Sequence, residues 1–130
     1  MSEADPVSGD SRGDLALAAF VGGAAFLAIV GPRVLDVTNM LWLTTMKDTF
    51  THYLGWEFFR RAASGWPPGL DPDYGMQFSS SIIFSDSVPL LALPLKLLSP
   101  LLPEVFQYTG WWTLACFVLQ AWFAVRLVGL

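Results

Sequence analysis

Two uncharged apolar runs constrain this chain more than any motif does. Residues 15–32 and residues 105–125 contain no Asp, Glu, Lys or Arg. Each run is about long enough to cross a hydrocarbon core of roughly 30 Å as a helix. Most of the polar sequence lies between them, with the tryptophans, carboxylates, glycines and prolines of a folded loop. The expected fold is an all-α membrane protein in which two transmembrane helices flank a large structured loop. The competing reading, a soluble protein with buried helices, needs longer apolar runs than a core built from 130 residues usually uses.

Composition agrees with the membrane reading. Hydrophobic residues make up 54% of the chain, and its six Trp, ten Phe and three Tyr suit interfacial aromatic belts. The net charge is −4 and Lys and Arg form no cluster, which argues against nucleic acid as a partner. The single cysteine, Cys116, lies inside the second run, so it has no internal disulfide partner and reads as a packing residue. Residues 1–14 carry Glu3, Asp5, Asp10 and Asp14 against Arg12. They lack the positive start of a secretory signal and are expected to form a disordered tail before an uncleaved span.

The first span, 15–32, is rich in Ala and Gly, which let helices approach closely. Gly31-Pro32 is expected to stop it. Residues 33–86 form the polar loop. Within it, 46–61 has no proline and reads as an amphipathic helix, with Met46, Phe50, Leu54 and Phe58 along one face. Asp48, His52 and Gly55 follow a neighbouring face. The Pro, Gly and Asp punctuation of 64–78 predicts successive turns, and 79–87 reads as extended. Residues 87–103 are apolar but are interrupted by Pro89, Pro94, Lys96, Pro100 and Pro103. A re-entrant or juxtamembrane helix suits them better than a full crossing. The second span is placed at 104–130, with Tyr108, Trp111 and Trp112 at one interface and Arg126 snorkelling towards the other. Charge alone leaves the orientation open, because the loop is too long for the positive-inside count to govern it.

The string HYLGWEFFR (52–60), the Trp66-Pro67 to Gly69 turn and the long run from Asp71 to Ala124, with its Ser-Asp-Ser and Pro-Leu elements, carry a specific resemblance. Over roughly residues 36–126 the chain resembles the N-terminal part of the DUF6311 family of bacterial multispan membrane proteins. That family is similar to the GT-C class of glycosyltransferases. The resemblance implies an extracytoplasmic first loop, a cytoplasmic tail and a multi-pass protein of the bacterial cytoplasmic (inner) membrane. It also implies a polyprenyl-phosphate-linked sugar donor and an acidic residue soon after the first span, acting as base or as ligand of a divalent metal ion. Such proteins are several times longer, so the chain is expected to be an N-terminal fragment, inactive alone. A non-enzymatic membrane assembly partner and an inactive gene fragment are the alternatives.

Candidate site residues follow from that chemistry. Glycosyl transfer to a hydroxyl needs a carboxylate to accept its proton, which nominates Asp48. His52, one turn on, is placed to orient it or share a metal. Lys47-Asp48 stands here where the family more usually has Gly-Asp. Asp86 is either a third catalytic candidate or an N-cap of the following apolar helix. Arg60 and Arg61 either grip a lipid phosphate or simply suit a helix C-terminus near anionic headgroups. Trp56 and Trp66 either stack on sugar rings or anchor at the interface. Asp71 and Asp73 suit turn chemistry better than metal binding. Lys96 either snorkels or faces a polar cavity.

Overall fold

The computed structural model describes residues 12–45, 47–75, 79–85 and 87–128. In chain order the elements are α1 (Arg12–Ile29), a 3₁₀ turn at Pro32–Leu35, α2 (Leu41–Thr45), α3 (Lys47–Arg61), β1 (Leu70–Asp71), β2 (Ser80–Ser81), a 3₁₀ turn at Ile82–Phe84, α4 (Pro89–Leu97), a 3₁₀ turn at Ser99–Leu101, and α5 (Thr109–Val128). The fold is mostly helical, and α1 and α5 are both long and apolar enough to cross a membrane. The chain divides into two compact units, one built from the two ends and the other from residues 38–107.

In the first unit α1 packs along α5. Ala18, Gly22 and Phe26, spaced by four, form the buried stripe of α1. A Cβ added at Gly22 would sit 2.6 Å from the Phe117 carbonyl oxygen, so only glycine allows this approach. Phe26 is fully buried and meets Phe117 edge-on, with centroids 5.8 Å apart. Helix α1 begins at Arg12, before the uncharged run, and Asp14 in its first turn complements the positive end of the helix dipole. It ends before Gly31, whose φ of +89° turns the chain into the Pro32–Leu35 turn. Trp111 Nε1 donates to the Leu35 carbonyl at 3.0 Å, and Gly110 lies against the Val34 carbonyl.

The second unit is organised around α3. Its buried stripe is Gly55, Trp56, Phe59 and Ala62. The face expected from spacing was different: Phe58 is exposed, and Phe50 and Leu54 are only half-buried. The reason is local packing, since Gly55 admits the backbone and side chain of Ser85 onto that side of the helix. Strands β1 and β2 pair antiparallel over two residues each, Leu70 with Ser81 and Asp71 with Ser80. Residues 87–103 do not form one helix. Pro89 starts α4, which tolerates Pro94, and the chain breaks before the Ser99–Leu101 turn. Pro100 explains the break, because it has no N–H and disfavours helix at Ser99. At nine residues α4 is about 13 Å long, far short of a bilayer crossing.

Gly22 and its neighbour provide a matched test. Gly22→Ala is expected to destabilise the detergent-solubilised chain by about 1–3 kcal/mol through overpacking. A Cβ at Gly23 meets nothing within 4 Å, so Gly23→Ala is expected to be neutral or to stabilise by up to about 1 kcal/mol. Thermal unfolding of both variants checks this, and equal effects would contradict the packing described.

Candidate functional site

Asp48 lies in the first turn of α3, where a carboxylate is favoured by the helix dipole. Its side chain is exposed, and its carbonyl accepts a hydrogen bond from Thr51 Oγ1 at 2.6 Å. His52, one turn further, is half-buried. Its carbonyl accepts from Ser87 Oγ at 3.3 Å. Ser85 Oγ donates to Ile82 O at 3.0 Å and lies 3.3 Å from Ser87 Oγ. Ser85 itself presses on Gly55. The serines on either side of position 86 therefore lie against the His52–Gly55 turn of α3. Asp86 itself lies outside the described residues.

The proposed binding residues have separate fates. Trp56 is 1% exposed and donates from Nε1 to the Phe106 carbonyl at 3.0 Å. Its indole belongs to the core, with Phe106 edge-on at 6.3 Å. Trp66 is open to its surroundings. Arg60 is tied to the proline-broken segment after α4. It donates to Ser99 Oγ at 3.3 Å and to the carbonyls of Glu104 at 3.1 Å, Ser99 at 3.2 Å and Leu102 at 3.3 Å. All four partners are neutral oxygens, three carbonyls and one hydroxyl. Arg61 is exposed and pairs with Glu57 one turn back. Both arginines line an open cleft of about 300 Å³ with Ser99, Pro100 and Glu104. Glu57 and Glu104 moderate its positive character.

Asp71 and Lys96 stand out structurally, although their sequence context marked neither as a principal site residue. Asp71 is fully buried, and among the described residues neither of its carboxylate oxygens has a hydrogen-bond partner. Burial pushes its carboxyl up from the usual range, Lys96 opposes that shift and Asp73 adds to it. Lys96 Nζ sits 4.1 Å from the centre of the Phe59 ring, a cation–π contact. Burial pushes its ammonium down, while Asp71 and Asp73 push it back up. Asp71 was hidden by its setting, because an Asp-Pro-Asp string among turn residues ordinarily reads as solvated. Among the described residues no group of three His, Cys, Asp or Glu side chains could hold a metal ion.

The family model DUF6311, a domain of unknown function, matches residues 19–130 of this chain. The chain belongs to the DUF6311 family. No curated protein and no solved structure matches it. The DUF6311 region takes in most of α1, all of α5 and the whole of the 38–107 unit, so Asp48, His52, Asp71 and Lys96 all fall within the family domain.

The buried carboxyl has a definite pH signature. With its pKa raised in the fold above the ordinary 3.8, Asp71 holds its proton more tightly folded than unfolded. Its contribution to stability is thus best below the ordinary carboxylate range and declines as pH rises through the raised value. Between about pH 4 and 7 the stability difference between Asp71→Asn and the wild-type chain is expected to shift steadily in favour of the variant. Thermal midpoints measured across that range check this, and a pH-independent difference would refute the assignment.

Proposed function

We propose that this chain is the N-terminal part of a GT-C-like integral membrane glycosyltransferase that takes sugar from a polyprenyl-phosphate-linked donor. In this reading α1 and α5 span the bacterial cytoplasmic membrane, and the 38–107 unit works at its outer face. The observation that carries the reading is the meeting of the Ser85–Ser87 segment with the His52 turn of α3, one turn beyond Asp48. It brings two of the three catalytic candidates and the flanks of the third to one stretch of helix. The exposed leucines of α4 and the turn after it, Leu90, Leu93, Leu97 and Leu101, support a unit working against lipid, with α4 lying juxtamembrane.

The chemistry is a displacement at the sugar's anomeric carbon. The acceptor hydroxyl oxygen forms the new glycosidic bond, the bond to the phosphate oxygen breaks, and polyprenyl phosphate leaves. Asp48 takes the hydroxyl proton, with His52 orienting it. Arg60 and Arg61 line the cleft where a phosphate would sit. Trp66 remains available to stack on a sugar ring.

A second reading, a non-enzymatic membrane protein whose polar unit binds assembly partners, is favoured by one observation. Trp56 and Arg60, two of the residues nominated for binding, are engaged in holding the fold.

Asp48→Asn in the native-length gene separates the two. The transferase reading expects loss of the cell-surface glycan with an unchanged membrane level of the protein, and roughly a 100-fold or greater drop in transfer, the usual effect of removing a general base. Unchanged glycan at an unchanged protein level would remove Asp48 from the mechanism.

A further inference from the structure

We propose that Lys96 is a two-position cation: it rests on the Phe59 ring while Asp71 holds its proton, and it moves onto the Asp71 carboxylate when that proton leaves for solvent. All three residues lie in the 38–107 unit. The inference therefore depends neither on a membrane crossing by α1 and α5 nor on the transferase reading.

The arrangement in the structure is that of the protonated acid. Asp71 is 0% exposed, and among the described residues neither carboxylate oxygen has a hydrogen-bond partner. A buried carboxylate without a donor is far costlier than a buried neutral carboxyl. The cation that could serve it, the Lys96 ammonium, is turned to the Phe59 ring instead, 4.1 Å from its centre. Phe59 is itself buried, so the ammonium has exchanged part of its water for the negative face of the ring. Lys96 and Asp71 act on one another electrostatically with no bond between them. Burial raises the Asp71 carboxyl and lowers the Lys96 ammonium, and each group opposes the other's shift.

The charges around the pair are accounted for. Asp73, exposed in the turn after β1, acts on both groups. Helix α3 offers the Phe59 ring; its Glu57 and Arg61 pair with each other, and its Arg60 is bound to the 99–104 segment. Strand β2 sets neutral Ser80 opposite Asp71. Once Asp71 ionises, a charge-assisted hydrogen bond to the carboxylate outweighs the cation–π contact, and the flexible lysine stem lets Nζ make it. The move changes what α4 is tied to, which is α3 through Phe59 in one position and β1 through Asp71 in the other. It takes place beside the arginine cleft, because Phe59 precedes Arg60 and Lys96 lies shortly before Ser99.

The ring current of Phe59 distinguishes the two positions. Lys47 and Lys96 are the only lysines of the chain, so lysine isotopically labelled at Cε gives two side-chain signals from the full chain in detergent micelles, and Lys47→Arg assigns them. At about pH 4 the Lys96 Hε protons are expected upfield of free lysine, and by about pH 8 this displacement is expected to be lost. Asp71→Asn is expected to keep the displacement across the whole range, and Asp73→Asn to lose it as the wild-type chain does. The indole N–H signal of Trp56, bonded to the Phe106 carbonyl in the core, reports that the unit stays folded meanwhile. A displacement that persists at the higher pH in the wild-type chain, or is lost in Asp71→Asn as well, or depends on Asp73, would overturn the proposal. No displacement at either pH would overturn it by removing the resting place on Phe59. Loss of the Trp56 signal together with the displacement would replace the switch with unfolding and also overturn it.

Discussion

The close approach of two helix backbones at Gly22 is the constraint on which the first unit depends. In the membrane-spanning reading proposed above, lipid would offer no hydrophobic drive to bring α1 and α5 together, so shape would have to do it. A missing side chain at Gly22 lets α1 reach the Phe117 carbonyl, and one turn later Phe26 fills the space beside the Phe117 ring. Gly110 repeats the device against Val34, and Trp111 fixes the Leu35 carbonyl. The chain thus leaves this unit and returns to it at neighbouring points. A segment whose ends are held together has less entropy to lose on folding, which helps a unit of modest size to stay ordered.

Inside the 38–107 unit the strands are too short to satisfy much backbone, and the prolines after α4 remove donors. The carbonyls of Leu102 and Glu104, and that of Ser99, which also accepts from the Leu102 N–H, all take donors from one planar, multi-donor group, the Arg60 guanidinium. Arg60, nominated for phosphate binding, also serves as a clasp between α3 and the segment after α4. Asp71 is the opposite case. Its carboxylate is buried with neither oxygen hydrogen-bonded among the described residues, and Lys96, which acts on it electrostatically, rests on an aromatic ring. Buried groups held against their solvation preference are where natural sequences commonly give up stability for a task.

Much of this was legible in the sequence because it depends on local rules. Absence of charge marked both long helices, Gly31-Pro32 marked the end of the first, and the proline-free stretch marked α3. The inner face of α3 was not legible. Its residues are apolar on more than one side, so Met46, Phe50, Leu54 and Phe58 looked as good a stripe as Trp56, Phe59 and Ala62. The choice was made by Ser85, thirty residues away in sequence, fitting against Gly55. Prolines announced that 87–103 would be interrupted without saying that α4 would stop at Leu97. Arg60 gave no local sign of its role, since its partners lie 39 to 44 residues on. Asp48 and His52 were readable as neighbours on one helix. The contact of the Ser85–Ser87 segment with that helix was not, because nothing in spacing alone joins them.

The central claim is the proposal that α1 and α5 cross the membrane and that the 38–107 unit works at its outer face. Labelling a cysteine placed at Ala63, an exposed position just past α3, tests it most directly. In a Cys116→Ala background this cysteine should react with a membrane-impermeant maleimide in cells whose cytoplasmic membrane is intact. Reaction only after that membrane is permeabilised would place the unit on the inner side and contradict the account.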